Sequence, residues 1–437
     1  MVAGAVGLVL LVLRYGEGLS APAPIVAGPT ITGPGAGTEG VALHLLIALT
    51  AVVVVGRLLG RLFRSVGQPP VIGEVVGGVL LGPSLLGILA PDVYNFLLPP
   101  SIVSPLGIFA QLGVVLYMFL VGLDLDSDLL RGQLHATVAI SHASIVLPFV
   151  LGATLALYLY PRVSTNDVAF SSFALFLGIA MSITAFPVLA RILSDLGMSR
   201  SPLGVLALTC AAVDDVTAWC LLALVVGVAQ AAAGRALVVT ALTLAFIGVM
   251  FTIVRPLVAR LASQGNAEPT FGDFAVIIAS LLVASTITEV IGVHAIFGAF
   301  LFGAVIPHDS PLARRLTGVL ERPVTILLLP AFFAFAGMRT EIGLLAGWSA
   351  WLTCALIVVV ATAGKVGGTL MAGRATGLSW REAAGLGVLM NTRGLMQLIV
   401  LNVGLDLGVI SPTLFTMMVL MAIATTLATT PVLRRVL

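Results

Sequence analysis

Long apolar runs dominate this sequence and limit the folds that are open to it. Thirteen of them, separated by short breaks, are candidate membrane-crossing helices. Only 9% of the 437 residues are charged, whereas a soluble domain carries about 25%. The sequence therefore predicts an all-α polytopic membrane protein with about thirteen transmembrane helices. The predicted spans are 41–62, 70–89, 103–124, 134–160, 168–193, 201–229, 235–262, 273–290, 293–307, 322–340, 345–373, 380–405 and 411–434.

The arginines predict the orientation of these helices. With thirteen crossings, fifteen arginines fall on one side of the membrane and three, Arg162, Arg235 and Arg339, on the other. Because Arg-rich loops stay in the cytoplasm, we expect a multi-pass protein of the cell (inner) membrane with a cytoplasmic C-terminus. Residues 1–40 then form an extracytoplasmic N-terminal lead. The cytoplasmic group is Arg57, Arg61, Arg64, Arg131, Arg191, Arg200, Arg255, Arg260, Arg314, Arg315, Arg322, Arg374, Arg381, Arg434 and Arg435.

Two stretches of the chain resemble each other. "VIGEVVGGVLLG" (71–82) in predicted helix 2 has a counterpart in "VIGVHAIFGAFLFG" (290–303) in predicted helix 9. In each, one glycine, Gly77 or Gly298, comes five residues before another glycine. Such self-similarity between distant segments is typical of an internal repeat.

Two further matches follow in the same order. "FLVGLDLD" (119–126) corresponds to "AFAGMRTEI" (334–342), and helix 5 is interrupted at 184–188 as helix 12 is at 391–394. Because one helix lies between the matching halves, they enter the membrane with opposite topology. This is the plan of secondary transporters, in which broken helices meet at a binding site near the midplane. The predicted organisation is a first inverted repeat over 41–229 (helices 1–6), a linking helix 7 over 230–262 and a second inverted repeat over 263–437 (helices 8–13).

Ionisable residues inside these helices are candidates for function. Asp214 and Asp215 are adjacent in helix 6, where each charge costs roughly 2.5–3.5 kcal/mol to insert. Neighbours on a helix point about 100° apart, so the two carboxylates have different partners. We expect one to face an aqueous cavity and the other to face a buried cation.

Lys365 in helix 11 is the natural candidate for that cation. It lies between Gly364 and Gly368, whose small-xxx-small spacing lets two helices approach closely. The alternative is that Lys365 extends to the cytoplasmic interface, about eight residues away. The role of Glu74 is also undecided by the sequence. It lies one turn into helix 2, where its side chain could either have a packing role or line an ion path.

The two interruptions predict a cavity lined by backbone. Pro187 removes a backbone donor and breaks helix 5, and Ser182 and Thr184 beside it could supply hydroxyl oxygens to a cation. Asn391 and Gly394 bound the corresponding break in helix 12. Such backbone is tolerated at membrane depth only where it lines a cavity or is buried in protein.

Arg393, within the second break, has two interpretations. Its guanidinium could neutralise the carbonyl ends of the broken helices, or it could pair with a carboxylate. The sequence does not decide between them.

Two other classes of protein can be weighed against a transporter. An intramembrane aspartyl protease needs two carboxylates that converge from different helices, which adjacent aspartates cannot do. A cation channel stays open as an alternative, although no stretch resembles a carbonyl filter.

Five motifs occur in order along the chain: "QPPVIGEVVGGVLLGPSLLG" (68–87), "FLVGLDLD" (119–126), "SITAFPVLARIL" (182–193), "AAVDDVTAW" (211–219) and "GLGVLMNTRGLMQLIVLNVG" (385–404). Together they resemble the second monovalent cation/proton antiporter family, which includes plant cation/proton exchangers, Kef-type potassium efflux proteins and bacterial sodium/proton antiporters. The resemblance runs from about residue 41 to the end.

The resemblance implies a core in which broken helices 5 and 12 cross, moving against a dimer-forming domain. Asp215 matches the carboxylate that binds a monovalent cation and protons alternately, Asp214 matches its partner position, and Lys365 matches the lysine that pairs with that partner. The expected function is antiport of sodium or potassium against protons by a non-enzymatic homodimer in lipid, without resident cofactor or nucleic acid. A cation channel or a gated potassium efflux system is the alternative.

Overall fold

The structure, a computed structural model, describes residues 2–22, 40–124, 134–230, 233–263 and 270–436. All regular secondary structure in these ranges is helical, as the sequence predicts. The helices are α1 (Val2–Gly16), α2 (Val41–Ser65), α3 (Pro70–Leu81), α4 (Leu86–Leu89), α5 (Pro91–Leu97), α6 (Pro100–Leu123), α7 (Leu134–Val163), α8 (Phe170–Ser182), α9 (Phe186–Asp195), α10 (Pro202–Gln230), α11 (Ala233–Val249), α12 (Arg255–Ser263), α13 (Phe271–Ile291), α14 (Ala295–Val305), α15 (Pro311–Pro323), α16 (Leu329–Met338), α17 (Gly347–Ala375), α18 (Trp380–Met390), α19 (Leu395–Asp406) and α20 (Pro412–Val436).

Local sequence sets many of the helix starts. Two helices begin with a reciprocal cap, in which Thr270 pairs with Asp273 and Ser379 pairs with Glu382. Each cap satisfies two backbone N–H groups that the first turn leaves without a partner. Six helices begin at a proline, whose missing N–H costs nothing at that position. These prolines are Pro70, Pro91, Pro100, Pro202, Pro311 and Pro412.

Ten helical stretches in the described ranges are long and apolar enough to cross a membrane, or eleven if the bent pair α18–α19 forms one span. Three shorter apolar helices accompany them: Ala3–Gly16, Phe170–Ser182 and Ala295–Val305. The last two fall within predicted helices 5 and 9. The prediction of a polytopic membrane protein is therefore confirmed at the level of ten or eleven spans, while the number thirteen stays a prediction.

The chain divides into two compact units. One contains Met1–Val103, Gly132–Ala218 and Ala334–Leu437, and the other contains Ser104–Arg131 and Trp219–Phe333. In the first unit α17 packs along α7, and α7 in turn packs along α8. Every sequence-predicted site residue belongs to this first unit.

The predicted N-terminal lead contains a helix that the sequence analysis did not assign. Apolar α1 packs against α7 and α8 in the first unit, where Gly16 touches the ring of Phe170 so closely that a Cβ atom would overlap it. Beyond the helix, the backbone carbonyl of Pro22 accepts a hydrogen bond from the N–H of Asn166. Residues 23–39 of the lead lie outside the described ranges.

Glycines allow the segments that match in sequence to contact their neighbours through the backbone. In the first unit, a Cβ on Gly82 of the α3 end would lie 2.6 Å from the carbonyl oxygen of Gly337 in α16. In the second unit, a Cβ on Gly303 of α14 would lie 3.1 Å from the Cα atom of Gly122 in α6. These positions correspond in the sequence matches, so each unit contains one copy of the same glycine-to-glycine contact.

Candidate functional site

Predicted helix 5 is interrupted one turn before its proline. Helix α8 ends at Ser182, Ile183 and Ala185 adopt extended backbone, and α9 starts at Phe186. Pro187 is among the first residues of α9, so it cannot donate a hydrogen bond to the preceding turn. A continuous helix is therefore disfavoured at the position where the chain opens.

Predicted helix 12 is interrupted where the sequence indicates. Helix α18 ends at Met390 and α19 begins at Leu395, with a bend of 45° between them. A Cβ on Gly394 would lie 2.7 Å from a methyl carbon of Val188 in α9. A larger residue at this position would force the Val188 side chain or one of the two broken helices to move.

The two breaks are hydrogen-bonded to each other. The backbone N–H of Ala185 donates to the carbonyl oxygen of Thr392 at 2.9 Å, and the Thr184 hydroxyl lies 3.0 Å from the carbonyl oxygen of Met390. The N–H of Ala185 and the carbonyl of Thr392, which the two breaks leave without helical partners, thereby satisfy each other. At the crossing, the non-helical residues of the two breaks therefore lie next to each other inside the first unit.

Asp214 is enclosed by donors at this crossing. Its carboxylate accepts hydrogen bonds from Ser141 at 2.6 Å and from Ser144 at 2.7 Å, both on α7. Thr184 adds a hydroxyl at 2.9 Å, and the Nζ atom of Lys365 lies 2.8 Å from the same carboxylate. Because the side chains of Asp214 and Lys365 are both 0% exposed, the pair is shielded from water.

Lys365 joins this carboxylate to the end of a broken helix. Its ammonium also donates to the carbonyl oxygen of Ser182, the last residue of α8, at 2.5 Å, and lies 3.4 Å from the Ser144 hydroxyl. Three N–H groups thus meet three acceptors, as an ammonium ion requires. The position of Lys365 matches the predicted buried cation and not an extension to the interface.

Small residues allow Lys365 to reach this position. A Cβ on Gly364 would lie 2.8 Å from the Cα atom of Pro148, and one on Gly368 would lie 2.5 Å from the carbonyl oxygen of Ala143. Helices α17 and α7 therefore touch through their backbones on both sides of the lysine. The predicted close approach at this small-xxx-small face is present, with α7 as the partner.

We expect Gly368→Ala to destabilise the protein, because its Cβ would force α17 away from α7. Over-packing of this kind costs about 1–3 kcal/mol. Gly367→Ala is a matched control, since a Cβ there would meet only a side-chain carbon of Leu147, at 3.8 Å. The thermal midpoint in detergent should fall for Gly368→Ala and stay level or rise for Gly367→Ala. Equal midpoints for the two variants would contradict the proposed contact.

Arg393 serves the same broken helix as Lys365. Its guanidinium donates to the carbonyl oxygens of Ala180 at 3.1 Å and Met181 at 2.6 Å, and to the amide oxygen of Gln397 at 3.2 Å. Its backbone N–H and carbonyl both bond to the hydroxyl of Thr426 on α20. Of the two interpretations left open by the sequence, the contacts fit neutralisation of the carbonyl ends of α8.

We expect Arg393→Met to destabilise the first unit, because two buried carbonyl groups would lose their donors. Each unsatisfied buried group costs about 1–3 kcal/mol. Arg393→Lys keeps one charged donor and should lose less. Denaturation of both variants in detergent would test this order, and a methionine variant as stable as wild type would contradict it.

Asp215 differs from its neighbour. Its side chain is buried, at 3% exposure, and neither carboxylate oxygen has a hydrogen-bond partner among the described residues. A buried carboxylate without partners is costly unless a proton or a cation neutralises it. The two adjacent aspartates therefore have unequal surroundings: Asp214 is fully paired, and Asp215 is buried without a described partner. The aqueous cavity predicted beside one of the two carboxylates is not seen around either of them in the described part of the chain, because both side chains are shielded from solvent.

The structure brings most of the predicted residues together, but not all in the predicted way. Ser182 directs its hydroxyl to the carbonyl oxygens of Ile145 and Gly178 and contributes its own carbonyl oxygen to Lys365. Asn391 donates to the hydroxyl of Thr362, while its amide oxygen has no partner among the described residues. Neither predicted hydroxyl is hydrogen-bonded to Asp215.

The sequence analysis missed several contributors to the site: Ser141, Ser144, Thr362, Gln397 and Thr426. Ser141 and Ser144 are three residues apart on α7, a spacing that puts both hydroxyls on one helix face. That spacing was the available signal for the pair. Nothing in the sequence near Thr426 distinguishes it from the other threonines of α20.

Two interrupted helices that cross beside buried, paired charges define a membrane transporter of the secondary-active class. A family model described as "Sodium/hydrogen exchanger, transmembrane" matches residues 47–437. The chain belongs to this family, and the resemblance drawn from the five motifs is confirmed.

Individual relatives agree with this assignment. The chain is 45% identical to the Na+/H+ antiporter NhaS4 of Synechocystis sp. over 399 residues, covering 90% of this chain and 97% of the relative. It is 38% identical to cation/H+ antiporter 15 of Arabidopsis thaliana over 391 residues, covering 89% of this chain and 47% of that protein, about half its length. The fold is similar to the structure of the sodium proton antiporter MjNhaP1 from Methanocaldococcus jannaschii, with a TM-score of 0.64 at 13% identity, covering 88% of this chain and 94% of that one.

Proposed function

We propose that this chain is a secondary active antiporter that exchanges a monovalent cation, sodium or potassium, for protons by alternating access. The observation that carries the proposal is the buried carboxylate of Asp215, whose two oxygens have no partner among the described residues. Membership in the sodium/hydrogen exchanger family supports the same conclusion, as do the names of the relatives, which are Na+/H+ and cation/H+ antiporters. The protein is a transporter and not an enzyme.

Asp215 provides one site with two exclusive occupants. When deprotonated, its carboxylate supplies the charge and the hard oxygen ligands that a dehydrated cation needs. A proton neutralises the same group and removes its attraction for the cation. Competition between the two couples their movements, and it predicts that the apparent KM for the cation falls as the pH rises.

Asp214 and Lys365 set the electrical balance of the cycle. Their contact at 2.8 Å holds the ammonium while Asp215 is protonated. If the arriving cation draws Asp214 away from Lys365, the lysine loses its counter-charge inside a region without water and releases a proton. Two protons then move against one cation, and the exchange is electrogenic. Thr184, which contacts Asp214 and the break of helix 12, supplies a hydroxyl oxygen to the opened site.

We also propose thirteen crossings arranged as two inverted six-helix repeats around helix 7. The ten long helical stretches, the bent pair α18–α19, the interrupted pair α8–α9 and the short helix α14 supply that number. The paired glycine contacts at Gly82–Gly337 and Gly303–Gly122 support the repeat. The arginine distribution supports a cell (inner) membrane protein with its C-terminus in the cytoplasm and residues before helix 1 outside. Assembly as a homodimer follows the family resemblance.

Proteoliposomes test the function directly. The purified chain is reconstituted with a pH-sensitive dye inside, and sodium, potassium and lithium are added in turn, with the voltage clamped by valinomycin and potassium or left free. Cation-driven proton movement that is faster under the clamp is the expected result. A cation current without proton coupling would favour a channel, and no proton movement with any cation would remove the antiporter proposal.

A further inference from the structure

A polar pocket of about 260 Å³ lies in the first unit, away from the crossing of the broken helices. Its walls are the last turn of α2 with the loop that follows, the end of α9 and the end of α20. On the proposed orientation this is the cytoplasmic end of the three helices. The mechanism above uses none of its lining residues.

Two arginines give this pocket its charge. Arg64 and Arg434 line it, and neither guanidinium group makes an ion pair or a hydrogen bond among the described residues. No Asp or Glu is part of the described lining. A Cβ on Gly67, which has a φ of 73°, would lie 3.6 Å from a terminal guanidinium nitrogen of Arg434. The guanidinium therefore lies over the loop that leads into α3, whose N-terminus adds further positive potential.

Arginine is common at the cytoplasmic ends of membrane helices, and this general enrichment is the simplest explanation for basic residues at this end of the protein. All four arginines at these helix ends are exposed. Arg61 and Arg435 fit that explanation, because they lie on the same two helices and do not line the pocket. Arg64 and Arg434 differ from them by converging on one concave site. Unpaired guanidinium groups in such a site are suited to phosphate, which they bind bidentately.

Gln68 adds a second requirement for a ligand. Its amide nitrogen donates to the carbonyl oxygen of Leu427 at 3.2 Å, which fixes the orientation of the amide. The amide oxygen is shielded from solvent and has no partner among the described residues. A ligand that satisfies this oxygen must bring a hydrogen-bond donor, such as a hydroxyl group.

We propose that this pocket binds a phosphate ester that also carries a hydroxyl group, with the phosphate between Arg64 and Arg434 and the hydroxyl donating to Gln68. Such chemistry occurs in the glycerol headgroup of an anionic phospholipid and in soluble phosphorylated metabolites. Because the pocket joins the α2–α3 loop to the ends of α9 and α20, an occupant stabilises the contacts among these segments. The proposal does not rest on the transport function.

The test is the thermal midpoint of the purified full-length chain in detergent. Phosphatidylglycerol in mixed micelles is compared with phosphatidylcholine, and glycerol 3-phosphate is compared with sodium sulfate at equal ionic strength. We expect phosphatidylglycerol, glycerol 3-phosphate or both to raise the midpoint by about 3 °C or more near saturation. A response to the lipid alone identifies a headgroup site, and a response to the soluble ester identifies a metabolite site.

Matched variants separate a built site from general surface charge. Arg64→Gln and Arg434→Gln should each abolish the rise, while Arg61→Gln and Arg435→Gln, which remove the same charge from the same two helices, should keep it. Gln68→Leu should weaken the response to the hydroxylated ligands. An equal loss in all four arginine variants, or a wild-type midpoint unchanged by every probe, would overturn the proposal.

Discussion

Asp215→Asn is expected to reduce cation-driven proton movement in proteoliposomes to the rate of protein-free liposomes. The amide has nearly the same shape as the carboxylate but can neither bind a proton at physiological pH nor neutralise a cation. Both functions proposed for this position are therefore lost together. The measurement is dye dequenching after addition of sodium, potassium or lithium, with equal amounts of protein in each set of vesicles.

The fold of this variant should survive. Because neither oxygen of Asp215 has a partner among the described residues, the substitution breaks no described hydrogen bond and removes a buried charge. Its thermal midpoint should equal or exceed that of the wild type. Asp92→Asn, the same chemical change at an exposed position in α5, is the control and should exchange normally. Exchange that persists in a folded Asp215→Asn protein would exclude Asp215 as the shared site.

Lys365→Met is expected to give the largest loss of stability. It leaves the carboxylate of Asp214 buried at 0% exposure without its ion-pair partner, and breaking such a pair costs about 3–5 kcal/mol. The carbonyl of Ser182 at the end of α8 loses a donor in the same step. Thermal and chemical denaturation in detergent would measure the effect.

The double variant Asp214→Asn/Lys365→Met separates the pair from the rest of the site. Both charges disappear, so most of the lost stability should return. If Lys365 carries the second proton, the double variant should still exchange, and a voltage clamp should no longer accelerate it. A double variant as unstable as Lys365→Met would contradict the pairing, and a clamp effect that survives would remove Lys365 from the proton balance.

Much of this arrangement is predictable from the sequence because burial of charge leaves few choices. The cost of burying a lone charge predicts that Lys365 pairs with one of the two aspartates, and the family resemblance implies that this one is Asp214. The breaks at Pro187 and at Asn391–Gly394 were found because their causes are local. Proline removes a donor wherever it stands, and the run Asn391–Gly394 interrupts a helical pattern without help from the rest of the fold.

The hydroxyl groups could not be predicted in the same way. In a membrane helix most Ser and Thr side chains bond to a carbonyl of the preceding turn, as Thr209 does to Val205 and Thr217 does to Val213. Ser141 instead reaches Asp214 on another helix, and Ser144 reaches the same carboxylate while it also lies 2.9 Å from the carbonyl oxygen of Ser141. Which choice a hydroxyl makes depends on the height and rotation of neighbouring helices, and a single sequence does not contain these quantities.

The role of Arg393 was undecided for a related reason. Carbonyl oxygens at a helix end and a carboxylate are equally good acceptors for a guanidinium group, so chemistry alone does not rank them. The choice depends on the position along helix 5 at which the break of helix 12 crosses it. The structure has the end of α8 within reach of the guanidinium group, and this distance is a property of the packing.

The two cations make the crossing chemically asymmetric, although both helices are broken there. Lys365 and Arg393 both donate to the end of α8, while the end of α18 is met by the neutral hydroxyls of Thr184 and Thr392. Charge-assisted hydrogen bonds are roughly twice as strong as neutral ones. The two broken helices therefore differ in stiffness at the crossing: the end of α8 is anchored by charged donors, and the end of α18 can rearrange without moving a buried charge.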